Sequence, residues 1–149
     1  MINIRDQIEI SRPQKQVFAF LTDLENIPNW QAEVVKSTVV TPGPVQAGTK
    51  FDEVVKIGPF RVATHCVVTA YEPDRLLGVE AKSSPVNYGG TFTVESAGSG
   101  SRVALDARAQ LRGLWKVFQP VLAGDIRKGA RQELAALKRH CEEAPSAVA

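Results

Sequence analysis

From Val34 to Leu111 the chain is cut at short intervals by residues that cannot extend a β-ladder. Thr41-Pro42-Gly43-Pro44, Gly58-Pro59, Glu72-Pro73-Asp74 and Ala97-Gly98-Ser99-Gly100-Ser101 separate stretches rich in β-branched and aromatic residues. Proline has no N–H to give to a ladder, and glycine and aspartate accept the backbone angles of tight turns. The stretches so bounded are Val34 to Val40, Lys50 to Ile57, Phe60 to Tyr71, Leu76 to Ala81, Asn87 to Glu95 and Arg102 to Leu111. Connections this short join antiparallel neighbours, because a parallel crossover needs a dozen or more residues. The expectation is a six-strand antiparallel meander.

A seventh strand precedes it. Residues 2–10 alternate, with Ile2, Ile4, Ile8 and Ile10 on one face and Asn3, Arg5, Gln7 and Glu9 on the other. Period two marks a half-buried strand. Ser11-Arg12-Pro13 ends it, Ser11 as a helix cap and Pro13 in the first helical turn. Val17, Phe18, Phe20 and Leu21 supply a helical apolar face, and a second short helix is expected from Asp23 until Pro28, leaving Trp30 at the start of the next strand.

After the meander, Leu114 to Glu143 reads as one long helix. Phe118, Leu122, Ile126, Ala130, Leu134, Leu137 and Cys141 recur every three or four residues, the stripe of a helix lying on a core. Pro120 either sits in the first turn or kinks the helix, which leaves its start open by several residues. The fold class is therefore α+β: a seven-stranded curved antiparallel sheet wrapped around a long C-terminal helix, with two short helices after the first strand. Residues 1–143 form one domain, and the small residues of 144–149 are expected to be a disordered tail.

A helix about 10 Å wide cannot blanket seven strands spaced about 4.8 Å apart unless the sheet curls around it. Curling leaves space between the concave face and the helix. Trp30, Phe51, Val55 and Phe92 are expected to line it from the sheet side, with the smaller Leu105, Ala107 and Ala109 on the last strand. Phe118, Leu122, Asp125, Ile126 and Gly129 are expected on the helix side. Gly129 costs about 1 kcal/mol relative to alanine in a helix interior, so either close packing or a cavity accounts for it.

Three polar residues fall on faces otherwise apolar. Asp6 shares its strand face with the isoleucines, and burying an unpaired carboxylate is costly. It either pairs with a neighbouring polar group at an open part of the sheet or meets a ligand. Glu53 shares a face with Phe51, Val55 and Ile57, and Tyr88 is in phase with Phe92 and Val94. Two carboxylates and a phenol at one pocket would suit proton abstraction beside a carbonyl. Each also has a structural reading, Glu53 at a sheet edge and Tyr88 as core with its hydroxyl on a backbone partner.

Several classes fall away on the remaining text. Net charge is +2, too small for a nucleic-acid partner, and no apolar run reaches the ~20 residues of a membrane span. The N-terminus alternates and carries charges, so it is no signal peptide, and a cytoplasmic location is expected. His65 falls on the outer face of its strand, His140 lies beside the charged side of the last helix, and Cys66 and Cys141 stand far apart. No metal and no cofactor is assigned. Arg127, Lys128, Arg131, Lys138 and Arg139 form the solvated side of that helix.

The order of elements and the wording of IEISRPQKQVFAFLTDLENIPNW resemble the opening of the SRPBCC or START-like superfamily, in its polyketide cyclase/dehydrase and lipid-transport branch. The matching residues are Pro13, Val17-Phe18, Asp23 and Trp30, followed by Gly48-Thr49, Tyr71-Glu72-Pro73 and Leu134 to Lys138. The resemblance covers nearly the whole chain. It implies the helix-grip fold and a small hydrophobic ligand, and it carries no universal catalytic set. Three readings follow: a carrier or sensor for a lipid-like or aromatic molecule, a polyketide cyclase or dehydratase using Asp6, Glu53 and Tyr88, and an interaction module that forms a homodimer.

Overall fold

The computed structural model describes residues 2–57, 59–82 and 86–143. The tail expected at 144–149 lies outside the described residues. Seven strands form one antiparallel sheet: β1 (Ile2–Ile10), β2 (Val34–Val39), β3 (Lys50–Ile57), β4 (Phe60–Glu72), β5 (Leu76–Lys82), β6 (Val86–Ala97) and β7 (Gly100–Leu111). Their order is β1-β7-β6-β5-β4-β3-β2, so the meander is continuous and β1 closes onto its last strand. Alternation along β1 and β7 puts Ile2, Ile4, Ile10, Val103, Leu105 and Ala109 into the core.

Two devices keep the meander in register. Gly98 takes φ +60° in the turn between β6 and β7, a conformation that L side chains resist. At Gly100 a side chain would collide with the carbonyl oxygen of Ile10, so only glycine lets β7 start under the end of β1. The register shifts between Val68 and Ala70 where β4 meets β5. The shift turns Tyr71 inward, where its ring lies 5.6 Å from that of Phe18.

Helix α1 (Gln14–Leu21) follows β1, then a 3-10 helix, Leu24–Asn29, with Pro28 inside it. Ser11 does not cap α1 as expected. Pro13 is the N-cap, its carbonyl accepting the Val17 N–H at 3.1 Å, and the backbone N–H of Ser11 donates to Glu142 Oε2 at 2.8 Å. The extended backbone that precedes a proline carries Ser11 away from α1 and toward the end of the last helix.

The C-terminal segment is divided. Gly113–Phe118 is a 3-10 helix and α2 spans Gln119–Glu143, 25 residues or about 37 Å at 1.5 Å each. Pro120 lies in its first turn, where no N–H is required. The buried stripe of α2 is Ala130, Leu134, Leu137 and Cys141. Phe118, expected to begin that stripe, stands in the 3-10 segment and is exposed. Along β1 the helix takes up edge carbonyls: Arg127 Nε donates to Asn3 O at 3.2 Å and Lys138 Nζ to Glu9 O at 2.9 Å. Side chains thus occupy part of an edge that would otherwise invite another strand. Among the described residues no helix is long and apolar enough to cross a membrane.

Candidate functional site

A polar cluster lies on the concave face. Glu53 projects from the middle of β3 and is 4% exposed. Register places it opposite Ser37 on β2 and Thr64 on β4, and both are buried. The Tyr88 hydroxyl, from β6, donates to Glu53 Oε1 at 2.8 Å, and the Cys66 thiol approaches the same oxygen at 3.5 Å. Burial raises the Glu53 pKa above the ordinary carboxylate value, although the hydrogen bonds from Tyr88 and Cys66 pull the other way. Burial also raises Tyr88 and Cys66, and the nearby Glu53 adds to both shifts.

Helix α2 faces this cluster with Glu133. Burial, then the neighbouring carboxyls of Glu33 and Glu53, push its pKa to about 8. Glu33, just before β2, acts on Glu133 through charge and hydrogen bonding, and both favour the protonated form of Glu133. Gly129 lies one turn earlier on the helix, and a methyl there would rest 3.5 Å from Glu33 Oε1, an ordinary contact. Close packing therefore does not require this glycine.

Water reaches the inner face at this end of the sheet. Tyr88, Phe92 and Ala107 sit on central strands with inward side chains, yet all three are only half-buried. Neighbouring strands cover their flanks, so their accessible surface opens toward the concave side. Trp30 packs edge-on against Phe92 with centroids 5.8 Å apart and is 3% exposed. Buried polar groups normally find hydrogen-bond partners, and two donors, the Trp30 indole Nε1 and the hydroxyl of Ser37, have none among the described residues. Such an arrangement can receive an acceptor from a bound molecule, while a protonated Glu53 can give it a hydrogen bond.

The expected site residues distribute as follows. Glu53 and Tyr88 come together. Asp6 goes elsewhere: on edge strand β1 it accepts the Gln7 N–H at 2.8 Å and faces Arg131 Nε at 3.8 Å, its side chain partly solvated. Phe51, Leu105 and Ala109 are buried in the core, and Val55 is half-buried beside it. Leu122, Ile126 and Gly129 are half-buried on α2, whereas Asp125 and Phe118 are exposed and do not face inward. The last turns of the expected stripe pack as anticipated; its first members do not.

Glu33 and Glu133 were not singled out from the sequence. Glu133 had a signal: it falls seven residues after Ile126 and four before Leu137, a carboxylate at the spacing of the apolar stripe. Glu33 had none, because its role depends on where the segment before β2 meets α2. Elsewhere, a depression of about 700 Å³ lies on the outer face of the sheet, lined by Arg5, Asp106 and Arg108 among others. Arg5 and Asp106 pair there at 3.7 Å, both well exposed, and none of the cluster residues takes part. His65 is exposed, its Nδ1 2.9 Å from Asp52 Oδ1.

The family model described as polyketide cyclase / dehydrase and lipid transport matches residues 1–142. No curated protein sequence matches the chain. Among solved structures, a START superfamily protein from Mycobacterium smegmatis superposes with a TM-score of 0.82 at 11% identity, over 96% of this chain and 99% of that one. The Zhui aromatase/cyclase from Streptomyces sp. R1128 gives 0.81 at 12% identity, over 94% and 93%. A protein from Thermus thermophilus gives 0.74 at 21% identity, over 95% and 94%. At such identities the likeness is one of fold.

Proposed function

The chain belongs to the polyketide cyclase/dehydrase and lipid-transport family, and from that premise we propose that it encloses a small, largely apolar molecule bearing a hydroxyl or carbonyl group. One observation carries the reading: the Glu53–Tyr88 pair stands on the part of the concave face where central-strand side chains remain accessible. Phe92, Trp30 and Ile126 supply apolar wall, and the pair supplies orientation, the usual make-up of a ligand site. The role is that of a carrier or sensor for an aromatic or lipid-like compound.

A matched pair of probes tests it. Naphthalene and 1-naphthol differ by one hydroxyl, and titration by fluorescence should show both binding. 1-Naphthol should bind about tenfold tighter, since a buried hydrogen bond is worth roughly 1 to 1.5 kcal/mol. Tyr88→Phe and Glu53→Gln should reduce that preference and leave naphthalene affinity intact. Failure of both probes to bind would remove the reading.

A second reading, cyclisation with loss of water, has its own support in two carboxyls with raised pKa on opposite walls, Glu53 on the sheet and Glu133 on the helix. A protonated Glu133 can donate to a carbonyl oxygen while an ionised Glu53 takes the proton from the adjacent carbon. Offered a linear poly-β-ketone thioester, the protein should then generate an aromatic chromophore. Glu133→Gln should abolish the chromophore without changing naphthol binding. Absence of any chromophore with the wild-type protein leaves binding alone.

A further inference from the structure

The segment that leads into α2 carries an apolar surface with nothing over it. Leu114, Val117 and Val121 are 87%, 75% and 72% exposed, the highest values among the large apolar side chains of the described residues, and Phe118 between them is 54% exposed. Leu114 and Val117, three apart in the 3-10 segment, share one side of it, and Phe118 and Val121 follow in sequence. Isolated exposed apolar residues are ordinary, but contiguous ones mark interaction surfaces. Trp115 lies half-buried among them, its ring 6.3 Å from that of Phe118.

The charges carried by the segment itself have one sign. Between Asp106 and Asp125 the chain contains Arg108, Arg112 and Lys116 and no acidic residue. Arg112 and Lys116 are exposed, and neither forms an ion pair among the described residues. We propose that this segment docks on an anionic lipid bilayer, with Leu114, Val117, Phe118 and Val121 entering the interface and Arg112 and Lys116 meeting lipid phosphates.

Apolar side chains flanked by cations are the composition that binds anionic membrane surfaces, and an indole between them suits the headgroup level. A second copy of the chain fits less well. A two-fold contact would bring Arg112 and Lys116 close to their own counterparts. Four apolar side chains also fall well short of the roughly 20 residues a side of a stable interface. The docking surface adjoins the half-buried start of α2, where Leu122 and Ile126 border the accessible part of the concave face. Docking would set that opening against the bilayer, the source of an apolar ligand. The docking does not depend on the pocket, and the naphthol titration reports on the pocket alone.

Co-sedimentation with vesicles tests the proposal. The protein should pellet with equimolar phosphatidylcholine and phosphatidylglycerol and stay largely in solution with phosphatidylcholine alone, and added salt should release it. Arg112→Glu with Lys116→Glu should weaken binding at least tenfold, at about 1 kcal/mol per cation. Leu114→Ser with Val117→Ser should do so by a similar factor, with the circular dichroism spectrum unchanged because both positions are exposed. Equal pelleting with both vesicle types, or variants that bind like wild type, would overturn the proposal. So would light scattering that shows a dimer dispersed by the double serine variant, which would assign the surface to a second copy.

Discussion

Leu134, Leu137 and Cys141, in the second half of α2, are sealed from solvent, whereas Leu122 and Ile126, in its first half, remain half-buried although the apolar spacing is continuous. The neighbours differ. At the closed end, Ile10, Val17, Phe18, Val94 and Val103 are all buried, and α1 joins the end of α2. There the Phe20 and His140 rings stack 6.4 Å apart, and Arg12 donates to the Glu142 carbonyl. At the open end α2 meets Glu33 and the edge of β1, and a carboxyl pair replaces apolar contact. One helix thus serves as core at one end and as wall at the other. Amphipathic spacing tells which side of a helix faces the sheet, and not how much of that side the sheet can cover.

Truncation should separate the two ends most strongly. Leu137→Ala should cost about 3 kcal/mol in denaturant unfolding, as for other fully buried leucines, while Leu114→Ala should stay within roughly 0.5 kcal/mol. Equal losses would erase the distinction.

The carboxyls of the open end should give a smaller effect, seen as pH dependence. Glu133 titrates near the ordinary 4.5 when unfolded and at about 8 when folded. Between those values the folded state binds more protons, so stability falls as pH rises through the window and levels off above it. Discounted for its partial exposure, the loss between about pH 5 and pH 9 is roughly 2 kcal/mol. Glu133→Gln should flatten most of that slope, leaving a residue of the same sign from Glu53. A slope unchanged by Glu133→Gln would mean that the folded state does not hold a proton on Glu133.

The smallest effect is expected at Asp6. Its ion pair with Arg131 is partly solvated, so Asp6→Asn should change stability by less than about 0.5 kcal/mol and leave 1-naphthol affinity unaltered. A loss of binding would move Asp6 into the pocket and extend the open end along β1.

Much of the sheet was legible in the sequence. The turn residues set the boundaries of the meander to within a few positions, and period two put Glu53 and Tyr88 on the inner face. Three things were not legible. The register shift after Val68 turns Tyr71 inward through one extra residue, which leaves no mark in composition. Ser11 reads as a helix cap in isolation and instead receives Glu142 from 131 residues away. Asp6 and Glu53 look alike as carboxylates on apolar strand faces, yet one lies at a sheet edge beside Arg131 and the other inside.

What the chain fixes by itself is local: where backbone angles forbid a ladder, which residues share a face, and where a helix can run. Those follow from sterics and side-chain period within a few residues. That Glu53 meets Tyr88, that Glu133 comes beside Glu33, and that Leu114, Val117 and Val121 stay uncovered were decided by the tertiary structure. Each depends on the distance between elements brought together by sheet curvature, and on the loss of water that accompanies their approach.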